Sequence, residues 1–312
     1  MGDGGESMKV YKALLGLLGL MGLLVACQQG QQGGSQLGSP DFAVVVSRAS
    51  VGFLDAGDTA EVLVQVVAKN GFNGPVTLSV ENLPSFLQAS FNPGSVTPQS
   101  TLNVVTGLAQ ATLVLRAVET PPPDQNLTLQ VKATSGSTAR TADLSVKTPV
   151  VVWDEDFSEG IPNDWEVVIN EGDEGWRDDD PGGRYEDESW APWGNIVPPF
   201  AIADSDWAGE VDMDTELITP SLDLTGLSRA RLSFDHKFVY FSGDESGRVD
   251  ISLDGGSTWT NLVTYQGEDL VGRVVLDISS AAGQSNVKIR FHYADAYYDW
   301  FWAVDNVIVY GF

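Results

Sequence analysis

Short alternating runs of β-branched and polar residues constrain this fold most; they recur roughly every ten residues between positions 41 and 147. The alternation gives a strand one apolar and one polar face. Segments rich in Gly, Pro, Asn and Asp separate the runs and have the composition of turns. This number and spacing of runs predicts a seven-stranded β-sandwich over residues 41–148. The runs are 43–49, 60–68, 74–80, 102–107, 110–118, 127–133 and 142–147.

Two segments of this region, GFNGPVTLSVENLP (71–84) and ASFNPGSVTP (89–98), resemble the bacterial immunoglobulin-like domains that repeat on surface proteins. The Cys–Trp–Cys core of antibody domains is missing, so an aliphatic core with several Phe side chains is expected. The region has no Trp and no Tyr, which interfaces usually contain, and we expect a spacer rather than a binding domain. The candidate core rings are Phe42, Phe53, Phe72, Phe86 and Phe91.

The second half of the chain, residues 149–312, contains a similar alternation around a strand near residue 235. Leu232, Phe234 and His236 alternate with polar residues, which predicts a half-buried strand with one polar face. The preceding segment, 223–226, has the Asp, Thr and Gly of a turn. A second β domain is therefore predicted, joined to the first by a hinge at residues 148–150.

A central stretch and four flanking blocks of this second domain carry a family resemblance. ITPSLDLTG (218–226) followed by LSFDH (232–236) resembles the bacterial choice-of-anchor J and cleaved-adhesin domains, relatives of the MAM fold. The segments 154–167, 201–207, 248–262 and 300–311 resemble the flanking strands of that family in the same order. The resemblance implies an all-β chain, an Ig-like sandwich followed by a jelly-roll β-sandwich. It also implies a binding or adhesive module rather than a reaction.

The N-terminus has the pattern of a bacterial lipoprotein signal. A short positive segment begins at Met8, an apolar segment too short to span a membrane follows at 13–26, and Leu-Val-Ala-Cys ends at Cys27. We predict a signal peptide over 1–26 with its start at Met8, and a lipidated Cys27. Residues 28–40, rich in Gln, Gly and Ser, would form a flexible tether. The alternative is an ordinary secretory signal with an incidental cysteine.

These features predict a protein of the bacterial cell envelope, lipid-anchored at the outer membrane or cell surface. The formal net charge is −26, from 43 acidic and 17 basic residues. Such a charge disfavours nucleic acid and anionic lipid as partners, because their phosphates would be repelled. It suits cations and neutral sugars. Since Cys27 is the single cysteine, an intramolecular disulfide and a thiolate metal cluster are both excluded.

Calcium is the cofactor that this acidic composition predicts, because it binds carboxylate and carbonyl oxygens in loops. Asp154 and Asp156 lie two apart on the opening strand, and the resemblance places Asp305 of the closing strand beside them. A second group has a spacing that would let alternate side chains converge on one ion. A solvated acidic surface is the alternative for both groups. The second group consists of Asp204, Asp206, Asp212, Asp214 and Glu216.

Aromatic side chains provide the candidate ligand surface. Trp190 and Trp193 lie in the segment 178–199, and Tyr297, Tyr298 and Trp300 precede the closing strand. Rings beside carboxylates suit stacking on the C–H face of a sugar whose hydroxyls donate to the acids. The ligand predicted here is a carbohydrate or a surface protein. Core packing is the alternative for any single ring.

The segment from Ser252 to Trp259 matches one copy of the Asp-box pattern, which appears in several copies in sialidases. We interpret Ser252, Asp254 and Gly256 as a hairpin turn, in which side chains bond the loop backbone and Gly takes a positive φ. Trp259 would pack beneath that turn. The pattern is therefore expected to be structural.

No hydrolase or nucleotide motif is present, and no pair of carboxylates is selected as the acid and base of a glycosidase. His236 is expected in the core, and His292 is either exposed or part of a site. The preferred hypothesis is a non-enzymatic, calcium-stabilised binding module on an Ig-like stalk. The alternative is the accessory or catalytic part of a secreted hydrolase, a peptidase or a glycosidase.

Overall fold

Two β-sandwiches follow one another along the chain, in a computed structural model that describes residues 38–99 and 107–312. One sheet of the first sandwich has the order β1-β3-β7-β5, and the other has the order β2-β9-β8-β4-β6. Their inner faces share one core. The strands are β1 (Asp41–Val46), β2 (Ser50–Gly52), β3 (Thr59–Lys69), β4 (Val76–Glu81), β5 (Leu87–Asn92), β6 (Ser95–Val96), β7 (Leu108–Ala117), β8 (Asn126–Ser135) and β9 (Thr138–Lys147).

The predicted sandwich is confirmed, with some differences in its strands. Six of the seven runs coincide with β1, β3, β4, β7, β8 and β9. The seventh, at 102–107, lies outside the described residues except for Gly107. Strand β5 was not predicted, although Leu87, Ala89 and Phe91 alternate along it. Phe42, Phe53 and Phe86 are buried, and Phe72 and Phe91 pack against the core from its edge.

The second sandwich is also formed by two sheets. One has the order β10-β19-β14-β17, with β12 also paired to β19, and the other has the order β11-β13-β18-β15-β16. A short helix, α1 (Ser205–Ala208), follows β12. The fold class is therefore all-β, as predicted. The strands are β10 (Val150–Glu155), β11 (Glu166–Glu171), β12 (Ala201–Asp204), β13 (Asp212–Ile218), β14 (Ala230–Val239), β15 (Ser246–Ser252), β16 (Thr260–Tyr265), β17 (Leu270–Asp277), β18 (Lys288–Tyr297) and β19 (Phe301–Gly311).

The first and last strands of this second sandwich pair antiparallel, so Val150 lies opposite Gly311 and Glu155 opposite Val307. The resemblance predicted this pairing. Between the sheets lies a core rich in rings, in which Trp302 contacts Trp176 and Phe291 edge to face at 5.4 and 6.0 Å between centroids.

Strand β14 is buried on both faces, where the sequence predicted a polar face in solvent. Asp235 and Lys237 are buried because the segment 188–199 covers them. Lys237 Nζ donates to the carbonyl oxygen of Pro192 at 3.0 Å, and Asn195 Nδ2 donates to Asp235 Oδ1 at 3.2 Å. The long connection therefore replaces water as the partner of the polar face.

The two sandwiches contact each other through an interface that we call the seam. Arg229 donates to both carboxylate oxygens of Asp58 at 3.2 and 3.3 Å. Asp55 accepts from Arg231 at 3.0 Å and from the Tyr310 hydroxyl at 3.1 Å. These groups come from the turn between β2 and β3, from the start of β14 and from the end of β19. The seam thus lies at one end of the second sandwich.

The segment predicted as a hinge lies beside the seam. Thr148 is buried, and its hydroxyl accepts from the Gln125 N–H at 2.7 Å. A Cβ atom at Gly52 would lie 2.3 Å from the ring of Phe312. Strand β2 and the Phe312 ring therefore approach closely only because position 52 is Gly. The bonds from the N–H groups of Gln125 to Thr148 and of Asp124 to the Pro149 carbonyl hold the connection against the first sandwich.

Helices long and apolar enough to cross a membrane are not found in residues 38–99 and 107–312. The predicted signal peptide, Cys27 and residues 28–37 of the tether lie outside the described residues.

Candidate functional site

A cleft of about 420 Å³ opens at the end of the second sandwich that lies away from the seam. The loop between β14 and β15 and the turn between β18 and β19 form its walls. We call it the acidic cleft, because five carboxylates and no Lys or Arg are among the described residues that line it. The carboxylates belong to Glu171, Asp212, Asp244, Asp295 and Asp299, and a ring is contributed by Tyr297.

Local hydrogen bonds shape the turn between β18 and β19. Asp299 Oδ2 accepts from the N–H of Tyr297 at 2.8 Å and closes the turn on itself. Asp295 and Tyr298 have positive φ angles of 59° and 54°, a conformation that is uncommon for residues other than Gly. Such conformations persist where the surroundings enforce them and are frequent at binding sites. Arg248 contributes by donating to Asp295 at 2.9 Å.

One half-exposed ring, Tyr297, lines the cleft, and two more, Phe241 and Tyr298, are next in sequence to the lining residues Ser242 and Tyr297. Phe241, Tyr297 and Tyr298 are 57%, 54% and 50% exposed. Phe241 also contacts Trp300 edge to face at 5.5 Å, and Trp300 contacts Trp190 at 4.9 Å. The sequence analysis identified all of these rings except Phe241. The loop that contains Phe241, FSGDESG, has the Gly, Ser and Asp content of a ligand-binding connection. This composition is the sequence signal that could have identified Phe241.

Trp193 differs from the other predicted ligand rings because it is buried in a separate aromatic cluster. Its ring stacks on Phe301 at 5.6 Å and packs on Phe200 at 5.3 Å. The Lys237 ammonium lies 5.2 Å from its centroid on the inner side. The expectation that Trp193 meets a ligand is therefore corrected: it joins the segment 188–199 to the sheet.

A buried carboxylate, Glu245, and a buried phenol, Tyr293, accompany Asp299, which lines the acidic cleft and is itself buried. Glu245 is fully buried; its Oε1 accepts from the Phe241 N–H at 2.8 Å, whereas its Oε2 has no hydrogen-bond donor. Burial, with further contributions from the Asp299 carboxylate, raises the pKa of Glu245 to about 8. The Tyr293 hydroxyl is buried without a partner, and burial followed by Glu245 and Asp299 raises its pKa. Among the described residues, no Lys or Arg side chain bonds Glu245 or Asp299 to balance their charge.

The carboxylates of the second predicted calcium group are dispersed among basic partners. Arg184 donates from Nε and Nη2 to Asp204 at 2.7 and 2.8 Å and also bonds Asp206. Asp204 in addition caps α1 by accepting from the N–H of Trp207 at 2.9 Å. These two acids are therefore already neutralised by a buried guanidinium.

The remaining members of that group lie elsewhere on the sheet. Asp214 is 2.7 Å from His292 Nε2, and Glu216 accepts from Arg290 at 3.0 Å. Asp212 lines the acidic cleft. The structure corrects the expectation that the five side chains converge, because their strand and helix positions direct them to different bases. In the described part of the chain, no three His, Cys, Asp or Glu side chains group closely enough to hold a metal ion by themselves.

The first predicted calcium group is arranged differently from the expectation. Asp305 is buried, and its oxygens accept only from the N–H groups of Val197 and Asn306. Burial, followed by repulsion from Asp235 and Asp156, raises the pKa of Asp305 to about 6. Asp235 lies directly opposite Asp305 in the sheet but is neutralised by Arg273, which donates at 2.6 and 3.2 Å.

On the opening strand, Asp154 and Asp156 are both exposed, and Glu155 between them is half-buried. Burial, opposed in part by the Phe157 N–H, raises the pKa of Glu155, and the Asp156 carboxylate adds to the shift. The sequence analysis did not select Glu155, because it placed Asp154 and Asp156 together on one face of the strand.

The Asp-box segment forms the predicted turn between β15 and β16. Gly256 N–H donates to Ser252 Oγ and Thr258 N–H donates to Asp254 Oδ1, both at 2.8 Å. The Trp259 ring lies 4.5 Å from the Arg290 guanidinium. The structural interpretation of this motif is confirmed.

The two histidines lie in different environments. His236 is buried 4.4 Å from the ring of Tyr265, and burial lowers its pKa to about 4. His292 is partly buried against Asp214 on the outer face of β18. His236 is therefore a core residue, as expected.

The fold and the site define a chain of two β-sandwiches with an acidic, aromatic-walled cleft at the outer end of the second. No family model and no curated protein sequence matches the chain. Among solved structures, similarity is found to the K1 and K3 cleaved adhesin domains of Lys-gingipain from Porphyromonas gingivalis W83. For K1, identity is 20%, coverage is 50% of this chain and 96% of that chain, and the TM-score is 0.37. For K3, identity is 15%, coverage is 51% of this chain and 99% of that chain, and the TM-score is 0.38.

A further similar structure is the carbohydrate-binding module TmCBM61, solved in complex with beta-1,4-galactotriose. Its identity is 12%, the TM-score is 0.34, and the coverage is 49% of this chain and 92% of that chain. All three TM-scores are below 0.5. We therefore infer function from the side chains of this chain.

Proposed function

We propose that the second sandwich is a binding module whose acidic cleft takes a neutral carbohydrate. The observation that supports this proposal is the position of Tyr297, a half-exposed ring that lines a cleft whose other polar groups are mostly carboxylates, with the half-exposed Phe241 and Tyr298 next in sequence to lining residues. Contact with a ligand would bury part of these rings, and burial of aromatic surface is favourable. The backbone N–H groups of Phe241 and Tyr297 donate to the buried carboxylates of Glu245 and Asp299, so little ordering of the backbone is needed on binding.

The chemistry of the lining selects the class of ligand. Sugar C–H faces pack on aromatic rings, and sugar hydroxyls donate to carboxylates such as Asp244 and Asp295. An anionic ligand would be repelled by the five lining acids, and a polycation would leave the rings unused. A neutral glycan satisfies both parts of the cleft.

The pair of buried acids beneath the cleft does not favour a glycosidase. Hydrolysis requires two carboxyl groups that reach the glycosidic bond from either side. Glu245 has no exposed surface, and Phe241 N–H occupies one of its oxygens. A ligand in the cleft would therefore not reach it. Binding without reaction is the function that this geometry supports.

Replacing Tyr297 by Ala is expected to abolish glycan binding and to leave the melting temperature unchanged, because the ring is half exposed. Tyr297→Phe is the matched control: it keeps the stacking surface and should retain most of the binding. The measurement is a glycan array with the full chain, followed by calorimetric titration of the positive glycan. Equal binding by Tyr297→Ala and the wild type would contradict the proposal, as would an array on which no neutral glycan gives a signal.

We also propose that calcium stabilises the start of the second sandwich through Asp305, with Glu155 and Asp156 as neighbouring carboxylates. A buried carboxylate with no basic partner favours either a proton or a cation. The end of β10 pairs with the middle of β19, with Glu155 opposite Val307, and the Asp156 carboxylate contributes to the raised pKa of Asp305. Calcium accepts carboxylates and carbonyls in flexible geometry. Asp154 is not included, because Asp156 is the one of the two whose carboxylate contributes to the raised pKa of Asp305. Equilibrium dialysis of the full chain is expected to show bound calcium that Asp305→Asn loses, and equal binding by both would contradict this proposal.

The N-terminal segment supports a third proposal, that Cys27 carries a lipid and attaches the chain to the bacterial envelope. The motif before Cys27 and the uncharged residues 28–37 support it. Cys27→Ala is expected to move the protein from the detergent phase to the aqueous phase in a detergent partition of cells that express it. A variant that stays in the detergent phase after signal cleavage would contradict lipidation at this residue.

A further inference from the structure

We propose that a cleft at the seam, which we call the basic pocket, binds a small anionic sugar, a monosaccharide that carries a phosphate or a carboxylate group. The basic pocket has a volume of about 410 Å³ and is lined by both sandwiches. It lies at the opposite end of the second sandwich from the acidic cleft and does not depend on the neutral glycan proposed there. The first sandwich contributes Arg48, Thr59, Glu61 and Lys147 to the lining, and the second contributes Arg229 and Phe312.

The first argument is the charge of the lining. The basic pocket has three basic side chains, those of Arg48, Lys147 and Arg229, against the acidic side chain of Glu61, in a chain whose formal net charge is −26. The lining of the acidic cleft has the opposite character. A local excess of positive charge in a strongly acidic protein attracts small anions to that part of the surface.

The second argument is that two of these cations are left without a partner. Within residues 38–99 and 107–312, the side chains of Arg48 and Lys147 make no hydrogen bond and no ion pair. Two other basic residues of the same sandwich, Lys132 and Arg140, pair with carboxylates at 2.6 and 2.8 Å. Although acidic residues outnumber basic ones by 43 to 17, the basic pocket therefore keeps unpaired cations that a ligand can use.

The third argument is the fixed position of Arg229. Its guanidinium donates to both oxygens of Asp58 at 3.2 and 3.3 Å and lies 5.8 Å from the centroid of the Phe312 ring. The Phe312 carbonyl oxygen accepts from the N–H and the hydroxyl of Ser228 at 2.6 and 3.0 Å. Little ordering of this wall is therefore needed on binding. A guanidinium has more N–H donors than Asp58 accepts, so donors remain for a ligand.

The rest of the lining selects an anion that also carries hydroxyl groups. Thr59 and Glu61 provide a hydroxyl and a carboxylate, which accept hydrogen bonds from sugar hydroxyls. Arginine and lysine side chains bind the oxygens of phosphate and of carboxylate groups. The volume is that of a small-molecule site, and such sites occur preferentially where domains meet. One phosphorylated or carboxylated sugar satisfies both parts of the lining.

The ligand would join the two sandwiches. Its anionic group would contact Arg48 and Lys147 of the first sandwich and Arg229 of the second. A ligand that binds the folded chain and not the unfolded chain stabilises the fold by mass action. Binding should therefore raise the melting temperature as well as give a heat signal.

The experiment is calorimetric titration of the full chain with glucose 6-phosphate and, separately, with glucuronate, at low ionic strength. Arg48→Met/Lys147→Met should weaken binding by about tenfold or more, because charged hydrogen bonds to the anion are lost. Lys69→Met is the matched control, since Lys69 is an exposed lysine at the other end of β3 from Thr59, and it should keep the wild-type affinity. Tyr297→Ala, which alters the acidic cleft, should also keep it. Glucose, which lacks the anionic group, should give no signal that Arg48→Met/Lys147→Met removes.

Thermal melting with each anion provides the second readout. A rise in melting temperature in the wild type and in Lys69→Met, but not in Arg48→Met/Lys147→Met, supports the basic pocket, and the anion that gives the rise identifies the charged group. If the double variant does not fold, Lys147→Met alone should show the same loss. The proposal is overturned if neither anion binds the wild type, or if Arg48→Met/Lys147→Met binds as tightly as Lys69→Met. Binding that only Tyr297→Ala removes would place the sugar in the acidic cleft and would also overturn it.

Discussion

The Trp193→Ala variant is expected to lose about 3–5 kcal/mol of the free energy of unfolding, the usual effect of truncating a buried Trp. Trp193 stacks on Phe301 and packs on Phe200, so its removal would leave a cavity between the segment 188–199 and β19. The polar face of β14 would then lose its cover at Lys237, whose ammonium contacts the same ring. Chemical denaturation followed by fluorescence measures the effect.

Tyr298→Ala is the control, because it removes a ring of comparable polarity that is half exposed. Its effect should remain within about 0.5 kcal/mol, as for most surface substitutions. If Trp193→Ala unfolded at the wild-type midpoint and instead lost ligand binding, the core assignment of this ring would be wrong.

The second large effect is expected for Arg184→Met, about 3–5 kcal/mol of destabilisation. Arg184 is buried and donates two hydrogen bonds to Asp204, which is itself buried. Without the guanidinium, the Asp204 carboxylate would remain in the interior with only the Trp207 N–H as a partner. The same denaturation experiment measures the loss.

Two further variants separate the charge effect from packing. Arg177→Met breaks ion pairs to Asp179 and Glu174 that are partly exposed, and it should cost at most about 1 kcal/mol. The double variant Arg184→Met/Asp204→Leu removes both charges and should recover most of the stability that Arg184→Met loses. An equal loss in the single and the double variant would show that packing, not charge, is responsible.

The parts of the fold that local periodicity determines were predictable from the sequence. The alternation in the first sandwich gives its strands directly, and the Asp-box turn follows from Ser252, Asp254 and Gly256, whose bonds are all local. The pairing of β10 with β19 came from the family resemblance rather than from the pattern itself.

Burial of polar strands could not be predicted in this way. The alternation in β14 correctly assigns Phe234 to the core, but the cover over Asp235 and Lys237 comes from residues about forty positions away in the chain. Periodicity reports which side chains share a face and contains no information on what lies above that face.

The candidate site shows the same limit. Spacing placed Asp204 and Glu216 in one group, yet their partners, Arg184 and Arg290, are distant in sequence and direct them apart. Glu245 has no motif around it, because its raised pKa arises from burial and from the proximity of Asp299. Exposed and buried loop rings, such as Tyr298 and Trp193, also have indistinguishable sequence contexts.

The antiparallel pairing of β10 with β19 has a consequence for how the protein would respond to force. The turn that walls the cleft enters β19 at Phe301, whereas β10 begins opposite the other end of β19, at Gly311. A pull on a ligand in the cleft, resisted from the first sandwich, would therefore act along the two strands and shear all of their hydrogen bonds together. Shear loads the bonds in parallel, whereas peeling would break them one after another. The seam at Asp55 and Asp58 would share the tension at the point where the load leaves the second sandwich.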